Sequence, residues 1–358
     1  MITSHNNYLK LAFENAKVNL GKTKMNPSVG CIVVKNGSVI SSGRTSISGR
    51  PHAEYNALIV NKNFKYSDLY LTLEPCTHYG KTPPCTDLIV KKGIKRVFIS
   101  FYDVDERTAK LAKKKLNNKK VKVYKKANRK FANFYQSYFL NRIKSEPLID
   151  AKIAVSKDYY TISKSKKWIT NIFSRKRAHL IRSEYDAIMS TSKSINVDNS
   201  LLNCRLNGLN QNKPDLFIID LNLKLKKNLK LFKNSKKRKI FLITMTKSSK
   251  KISYLKRKGI KIIFVKRLLT RNDFLNLFKI LKKIGYNRIL VESGLIFLNT
   301  LLKFRLIFNF FIFKSSKYLK NNGINSSTIY YIKKLILNKR IKVNLDKDKL
   351  YKVKIKNV

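Results

Sequence analysis

Apolar positions recur along this chain in two registers, one with the period of a helix and one with the period of a strand. Tyr8, Leu9, Ala12, Phe13 and Ala16 share one helical face. Strand-like runs at 29–34 and 38–42 flank Asn36-Gly37, the residue pair that best suits a two-residue hairpin turn. A helix is expected near His52, with Ala53, Ala57 and Leu58 facing inward. A short buried strand follows at 69–73, then a helix over 86–92 stopped by Gly93, and another strand at 95–101. A basic helix is expected from about Glu106 and a longer one over roughly 128–145. Pro147 breaks the pattern, which places a domain boundary there and divides the chain into residues 1–146 and 147–358.

The second half alternates in the same way. Strands are expected at 148–155, 186–191, 216–220, 239–244, 261–265 and 288–292, with helices near 172–182, 272–284 and 295–302. Such alternation predicts an α/β domain with a largely parallel or mixed sheet. Neither half carries an internal repeat. A length of 358 residues suits two domains with separate cores, and 43% hydrophobic with 11% aromatic residues marks a folded chain. The apolar run at 306–313 is too short to span a membrane. The first ten residues carry no basic-then-apolar signal pattern, so a cytoplasmic location is expected.

Charge changes the picture most. Lys and Arg number 78 against 20 Asp and Glu, a formal net charge of +58. Clustered lysines release counterions from nucleic-acid phosphates, which makes nucleic-acid binding one reading. The other is a bias toward A- and T-rich codons, which would also enrich Asn, Ile, Phe and Tyr. The basic residues are spread along the whole chain with no nucleic-acid motif, which favours the bias and predicts no specific nucleic-acid partner and no membrane partner. The cysteines, Cys31, Cys76, Cys85 and Cys204, are too sparse for a disulfide framework. Cys31 falls in a hairpin strand and reads as core, while His5 and His179 read as exposed or helix-face residues.

Pro51-His52-Ala53-Glu54 and Glu74-Pro75-Cys76 with Cys85 carry the chemistry. Catalytic zinc takes three protein ligands of nitrogen and thiolate and keeps a fourth position for water, whose pKa it brings toward neutrality. His52, Cys76 and Cys85 supply such a set, and Glu54 stands two residues past the histidine, placed to shuttle a proton without binding metal. With His52 opening one helix and the Pro75-Cys76 step opening another turn, the helix dipoles would favour thiolates. H-x-E followed by P-C-x-x-C is the signature of zinc nucleobase deaminases. Here eight residues, 77–84, separate the cysteines instead of two. Two unrelated cysteines and a surface histidine would explain each residue singly, but not their joint occurrence.

The zinc loop from Glu74 to Cys85, with Thr77-His78-Tyr79-Gly80-Lys81-Thr82-Pro83-Pro84 between Cys76 and Cys85, resembles that of the riboflavin-biosynthesis deaminase family. Asn26-Pro27-Ser28-Val29-Gly30-Cys31 resembles the family's substrate loop. The resemblance covers nearly the whole chain and extends to the bifunctional deaminase–reductases of that family. It implies a cytidine-deaminase-like domain followed by a dihydrofolate-reductase-like domain, with Zn2+ and NADPH as cofactors. It also implies a small phosphorylated pyrimidine as substrate, and leaves homo-oligomerisation open. Asn26 would hydrogen-bond the pyrimidine, with His78 and Lys81 lining the same pocket.

In the second half, Trp168-Ile169-Thr170, Arg175, Arg182, Asp186-Ala187-Ile188, Asp198-Asn199 with Leu202 and Arg205, and Val291-Glu292-Ser293-Gly294 follow the order of the family's reductase domain. The resemblance assigns Ala154, Trp168, Ser194, Asp198 and Gly294 to the cofactor, and Lys166, Arg182, Leu202, Arg205 and Glu292 to the substrate. A glycine at the strand-to-helix turn would let backbone approach a pyrophosphate, and the forks of Arg182 and Arg205 suit a sugar phosphate. The chain departs from the family where Lys157-Asp158-Tyr159 replaces Leu-Asp-Gly, Asp198-Asn199-Ser200 replaces Asp-Asn-Pro and Asn203 replaces a threonine. Ser293-Gly294 replaces a glycine pair and Phe308-Asn309 an acidic pair, and Tyr159 at a glycine turn is expected to carry strain. A deaminase with a decayed reductase half is therefore one alternative. A nucleic-acid base deaminase would suit the charge, but not the eight-residue insert or the reductase-like half. A basic RNA-binding protein with a structural zinc would use four protein ligands, and three converge here.

Overall fold

Asn36 and Gly37 both take positive φ, 50° and 76°, the backbone that a tight two-residue hairpin needs. They join β1 (Gly30–Lys35) to β2 (Ser38–Arg44), as that residue pair predicts. The structure, a computed structural model, describes residues 2–127, 131–209, 214–233, 238–247, 250–337 and 340–355. The chain divides into two units, Met1–Ser145 and Glu146–Val358.

In the first unit the sheet runs β2-β1-β3-β4-β5, with β3 (Asp68–Leu73), β4 (Arg96–Phe101) and β5 (Lys122–Lys125) mutually parallel and β1 antiparallel to both of its neighbours. Alternation along the strands feeds two faces. Ile32, Val34, Tyr70 and Phe98 pack with Leu9 and Ala12 of α1 (Ile2–Lys17). Cys31, Val33, Leu69, Leu71, Val97 and Ile99 pack with residues of α2 (Ala53–Leu58) and α3 (Cys85–Lys91). Cys31 is thus core, and Ala53, Ala57 and Leu58 are fully buried. Gly43 lets α2 lie close on β2, because a Cβ there would stand 2.3 Å from the Ala53 carbonyl oxygen and 2.5 Å from the Ala57 nitrogen.

Two helices of this unit are shorter than their patterns predict. The basic helix, expected from Glu106, begins five residues later as α4 (Leu111–Asn118). Residues 103–110 are diverted into turns by carboxylates: Asp103 and Asp105 fold back on their own following amides, and Lys110 takes φ 62°. The helix expected over 128–145 is α5 (Gln136–Lys144), preceded by turns from residue 131; residues 128–130 lie outside the described residues.

The second unit holds an eight-stranded sheet in the order β11-β10-β9-β8-β12-β6-β13-β15. Its strands are β6 (Leu148–Val155), β8 (Ala187–Thr191), β9 (Asp215–Ile219), β10 (Ile240–Thr244), β11 (Ile260–Phe264), β12 (Arg288–Val291), β13 (Asn309–Lys314) and β15 (Lys349–Lys354). All neighbours pair in parallel except β15, which runs antiparallel to β13. A parallel sheet is covered on both faces, so β10 and β12 read as continuous apolar runs. Helices α6 (Ile172–Arg182), α10 (Arg271–Lys283) and α11 (Leu295–Lys303) stand within a residue of their predicted spans. Also present are α7 (Ser192–Asp198), α8 (Lys230–Lys233), α9 (Lys250–Arg257), α12 (Tyr330–Lys333) and the small pair β7 (Ile162–Ser163) with β14 (Gly323–Ile324). The pattern missed these, as it missed β5 and β15, and it missed β13, whose unalternating run is explained by burial between β6 and β15. Among the described residues no helix is long and apolar enough to cross a membrane.

Candidate active site

β3 runs out at Leu73, and the next residues carry the first cysteine of the metal motif. Buried Glu74 fixes that exit: its carboxylate accepts the main-chain N–H groups of Asp103 (3.1 Å), Lys110 (2.9 Å) and Ala112 (3.1 Å), tying the strand end to the start of α4. His52 is the N-cap residue of α2, while Pro84 caps α3 and Cys85 is its first residue. The second helix therefore opens at Cys85 and not at the Pro75-Cys76 step, because the long insert delays it. Its first N–H still points at the site: Cys85 N donates to Cys76 Sγ at 3.3 Å.

His52 Nδ1 lies 3.6 Å from Cys76 Sγ and 3.5 Å from Cys85 Sγ, and the ligand atoms of the three residues all lie within 4.8 Å of one another. Tetrahedral zinc with Zn–S of about 2.3 Å and Zn–N of about 2.0 Å sets nitrogen and sulfur about 3.6 Å apart, so this donor set fits the ion. Hydrogen bonding from the Cys85 thiol holds Cys76 down to about 4 against the effect of burial, so one thiolate is present before metal arrives. Glu54 is buried in the first turn of α2 and hydrogen-bonded to Cys85; burial pushes its carboxyl up to about 7, although the charge of His52 opposes this.

The loop between the cysteines is held from outside. Thr77 Oγ1 donates to the Arg107 carbonyl (2.7 Å), His78 Nδ1 meets Thr108 Oγ1 (3.2 Å), and Arg50 Nη1 donates to Thr82 Oγ1 (2.7 Å). Asn26 is half-buried and donates from Nδ2 to the Gly49 carbonyl (2.8 Å), on the turn that leads into His52; Lys81 is exposed. Among the described residues no hydrogen bond joins Asn26, His78 and Lys81 to one another or to the metal ligands. Neither remaining histidine is freely exposed: His5 bonds the Tyr70 hydroxyl (2.7 Å) and His179 the Asn203 carbonyl (2.8 Å), both from helix faces.

A second constellation gathers around Glu292, at the end of β12. Arg182, the last residue of α6, donates from Nε to Oε1 (2.5 Å) and from Nη2 to Oε2 (2.9 Å), so the fork expected to take a sugar phosphate is occupied by Glu292. Lys152, half-buried on β6, brings Nζ to 3.6 Å from Oε2. Burial alone would raise the Glu292 carboxyl, but Arg182 and Lys152 hold it down to about 2. Asp198, at the end of α7, is raised by burial against the charges of Lys167 and Lys152. Trp168 is 56% exposed, with the Arg175 guanidinium 5.1 Å and the Lys167 ammonium 5.5 Å from its ring centroid. Ala154 is half-buried on β6, Lys166 is exposed, Leu202 is buried with φ 47°, and Arg205 bonds Asn203 Oδ1 at 2.6 Å. Hydroxyls of Thr191, Ser194 and Ser293 meet at the N-terminus of α11, where Gly294 N donates to Ser194 Oγ at 3.0 Å. Gly294 has φ −70°, so no left-handed backbone requires a glycine there; a Cβ would touch the Ser194 and Ser326 hydroxyls at 3.6 Å.

Two of the departures from the family pattern, at Tyr159 and Asn309, have a clear structural outcome. Tyr159 sits at φ 69°, the strained turn expected of it, with the Lys314 ammonium 3.9 Å from its ring centroid. The retained Asp158 accepts Ser156 Oγ (2.5 Å) and the main-chain N–H groups of Leu319 (3.1 Å) and Lys320 (2.8 Å), which anchors that turn. Asn309 donates its main-chain and side-chain N–H groups to buried Asp150.

Residues 2–101 match the cytidine and deoxycytidylate deaminase zinc-binding region, and residues 147–319 match the RibD C-terminal domain. The riboflavin biosynthesis protein RibD of Aquifex aeolicus is 35% identical over 292 residues, 80% of this chain and 80% of that protein. The chain belongs to the RibD family. RibD of Actinobacillus pleuropneumoniae is 31% identical over 80% of this chain and 77% of its own length. Among solved structures, a diaminohydroxyphosphoribosylaminopyrimidine deaminase/5-amino-6-(5-phosphoribosylamino)uracil reductase of Thermotoga maritima superposes with a TM-score of 0.82 at 25% identity, covering 99% of each chain. Acinetobacter baumannii RibD superposes with a TM-score of 0.81 at 25% identity, covering 98% of this chain and 99% of that one.

As a RibD the chain is a bifunctional riboflavin-biosynthesis enzyme, with a cytidine-deaminase-like and a dihydrofolate-reductase-like domain and with zinc and NADPH as cofactors. The hydroxyls of Thr191, Ser194 and Ser293 gathered at the N-terminus of α11 suit a phosphate, so the second constellation fits a phosphorylated dinucleotide. Pattern reading missed Lys152, although a lysine interrupting the apolar run at 148–155 is the signal that marks it.

Proposed function

We propose that residues 1–146 catalyse hydrolytic deamination of 2,5-diamino-6-(5-phosphoribosylamino)pyrimidin-4-one, and that residues 147–358 then reduce the ribosyl side chain to ribityl. The observation that carries this reading is the convergence of His52, Cys76 and Cys85 beside buried Glu54. Zinc held by these ligands supplies the Lewis acidity that brings a water near neutrality. Glu54 accepts a proton from the attacking water at its carboxylate and delivers it to the amino group that leaves as ammonia. Asn26, His78 and Lys81 orient the pyrimidine and its phosphoribosyl chain.

In the second unit NADPH supplies a hydride. Ala154, Trp168, Ser194, Asp198 and Gly294 hold the cofactor, while Lys166, Leu202 and Arg205 hold the phosphorylated sugar. Lys152, half-buried beside Glu292, has a proton to give from Nζ to the sugar oxygen as the carbon is reduced. Arg182 keeps Glu292 ionised, and that carboxylate opposes the burial that lowers the Lys152 ammonium. The test is to incubate the protein with the diaminopyrimidine ribotide, with and without NADPH, and to identify products. Ammonia release without NADPH and a ribityl product only with it are expected; absence of ammonia release would refute the reading.

A further inference from the structure

Arg238 precedes β10 and is 9% exposed, yet among the described residues it makes no ion pair. Its guanidinium meets main-chain carbonyls instead: Nη1 donates to Leu202 O (2.7 Å) and Pro214 O (3.0 Å), and Nη2 donates to Leu201 O. Nε is buried without a partner among the described residues. A buried cation hydrogen-bonded to main-chain carbonyls and to no carboxylate is costly for the fold, so its presence calls for a use of the charge or of the geometry.

Both uses are visible at the turn it holds. Leu202 takes φ 47°, a left-handed backbone that a leucine adopts only when its neighbours impose it, and Arg238 grips the carbonyls at 201 and 202. The next residue, Asn203, is gripped from the other side. Its carbonyl accepts His179 Nδ1 (2.8 Å) and Arg182 Nη1 (3.2 Å), and its Oδ1 accepts Arg205 Nη1 (2.6 Å). Three arginines thus bond residues 201–205, and of these, among the described residues, only Arg182 is hydrogen-bonded to a carboxylate, that of Glu292. Burial lowers Arg238 toward about 10, with Arg182 and Arg205 acting in the same sense against Asp215, so the group stays charged at neutral pH. Two of these cations, Arg182 and Arg238, are themselves largely withdrawn from water, so their charge is felt across the turn.

We propose that Arg238 is a positioning residue for the phosphate of the reductase substrate. It locks the 201–205 turn and sets a fixed positive charge behind it, so that Arg205 and the Leu202 main chain form a dianion site before substrate arrives. This rests on the reading of Leu202 and Arg205 as substrate-binding residues.

The test compares steady-state reduction of the deaminated ribotide and of its 5′-dephosphorylated form by the full chain and by R238M, R238K and R205A. R238M should raise KM for the phosphorylated substrate about tenfold, the order of a lost charge-assisted contact, and R238K should recover part of it. Its kcat and its KM for NADPH should stay within about twofold, and the dephosphorylated substrate should be used as by the parent chain. A shift in R205A without one in R238M overturns the role of Arg238 and leaves the substrate reading intact. No shift in either overturns both. Loss of kcat, of NADPH affinity and of both substrates together in R238M makes Arg238 a structural prop and overturns the proposal.

Discussion

His179 shows how one side chain reports on the charge around it. Its Nδ1–H donates to the Asn203 carbonyl, and Nε2 lies 3.3 Å from Arg205 Nη2 and accepts from it. Burial lowers its pKa to about 4, with the charges of Arg182 and Arg205 acting in the same sense against Glu292, so the ring is neutral at pH 7. The folded-state value lies below that of the unfolded chain, about 6.5. The contribution to stability is therefore fully present above about pH 6.5 and is lost as pH falls toward 4. Because the ring is half-exposed, the loss between pH 7 and pH 5 should be on the order of 1 kcal/mol. His179→Gln keeps a donor and an acceptor but cannot titrate. Denaturant unfolding of the variant should show a flatter fall over that interval, and an unchanged fall would remove His179 as its source.

At the scale of elements, Gly43 carries the placement of the metal ligands. α2 is only six residues long and gains little from its own hydrogen bonds, so its position depends on packing against β2. A Cβ at 43 would meet the backbone of Ala53 and Ala57, atoms that cannot swing aside as a flexible side chain can. Gly43→Ala should cost about 1–3 kcal/mol and move His52 from its cysteines. Lower zinc content together with an earlier thermal transition would bear this out, and full zinc content at the parent melting temperature would count against it.

This also explains what pattern reading could and could not find. His52, Glu54, Cys76 and Cys85 were legible because zinc restricts donor types and the flanking residues recur as a motif. The hairpin was legible because Asn-Gly is a local solution to a local problem. The late start of α4 was only partly so: Asp103 and Asp105 act locally, but Glu74, which holds the amides at 110 and 112, is far away in sequence. Lys152 and Arg238 were hidden for the same reason. Their partners, Glu292 and the 201–202 carbonyls, come near only when the sheet is assembled.

At the scale of the molecule, the scarcity of acids is informative. With 20 carboxylates against 78 basic residues, acids might be supposed to serve as counter-charges, yet many are spent on main-chain N–H groups. Glu74, Asp158, Asp186, Asp220 and Asp348 each accept such donors and hold a strand exit, a turn or a helix start. The few acids thus stand where the fold and the sites need them, in the second unit as in the first. That distribution argues against a decayed reductase: Glu292 keeps its bidentate arginine and its lysine, arrangements that decay would break as readily as any other. Each unit contains its own constellation, so the two activities should be separable. Glu54→Gln removes the proton relay while leaving the three metal ligands in place, so it should abolish ammonia release and retain one zinc per chain. Given substrate that is already deaminated, the same variant should oxidise NADPH at the parent rate, followed by the fall in nicotinamide absorbance. Glu292→Ala should reverse the pattern, releasing ammonia normally while NADPH consumption collapses, since it leaves half-buried Lys152 and Arg182 without their shared anion. If the parent chain releases ammonia but never oxidises NADPH with the deaminated substrate, the second constellation is a relic and the reductase reading fails.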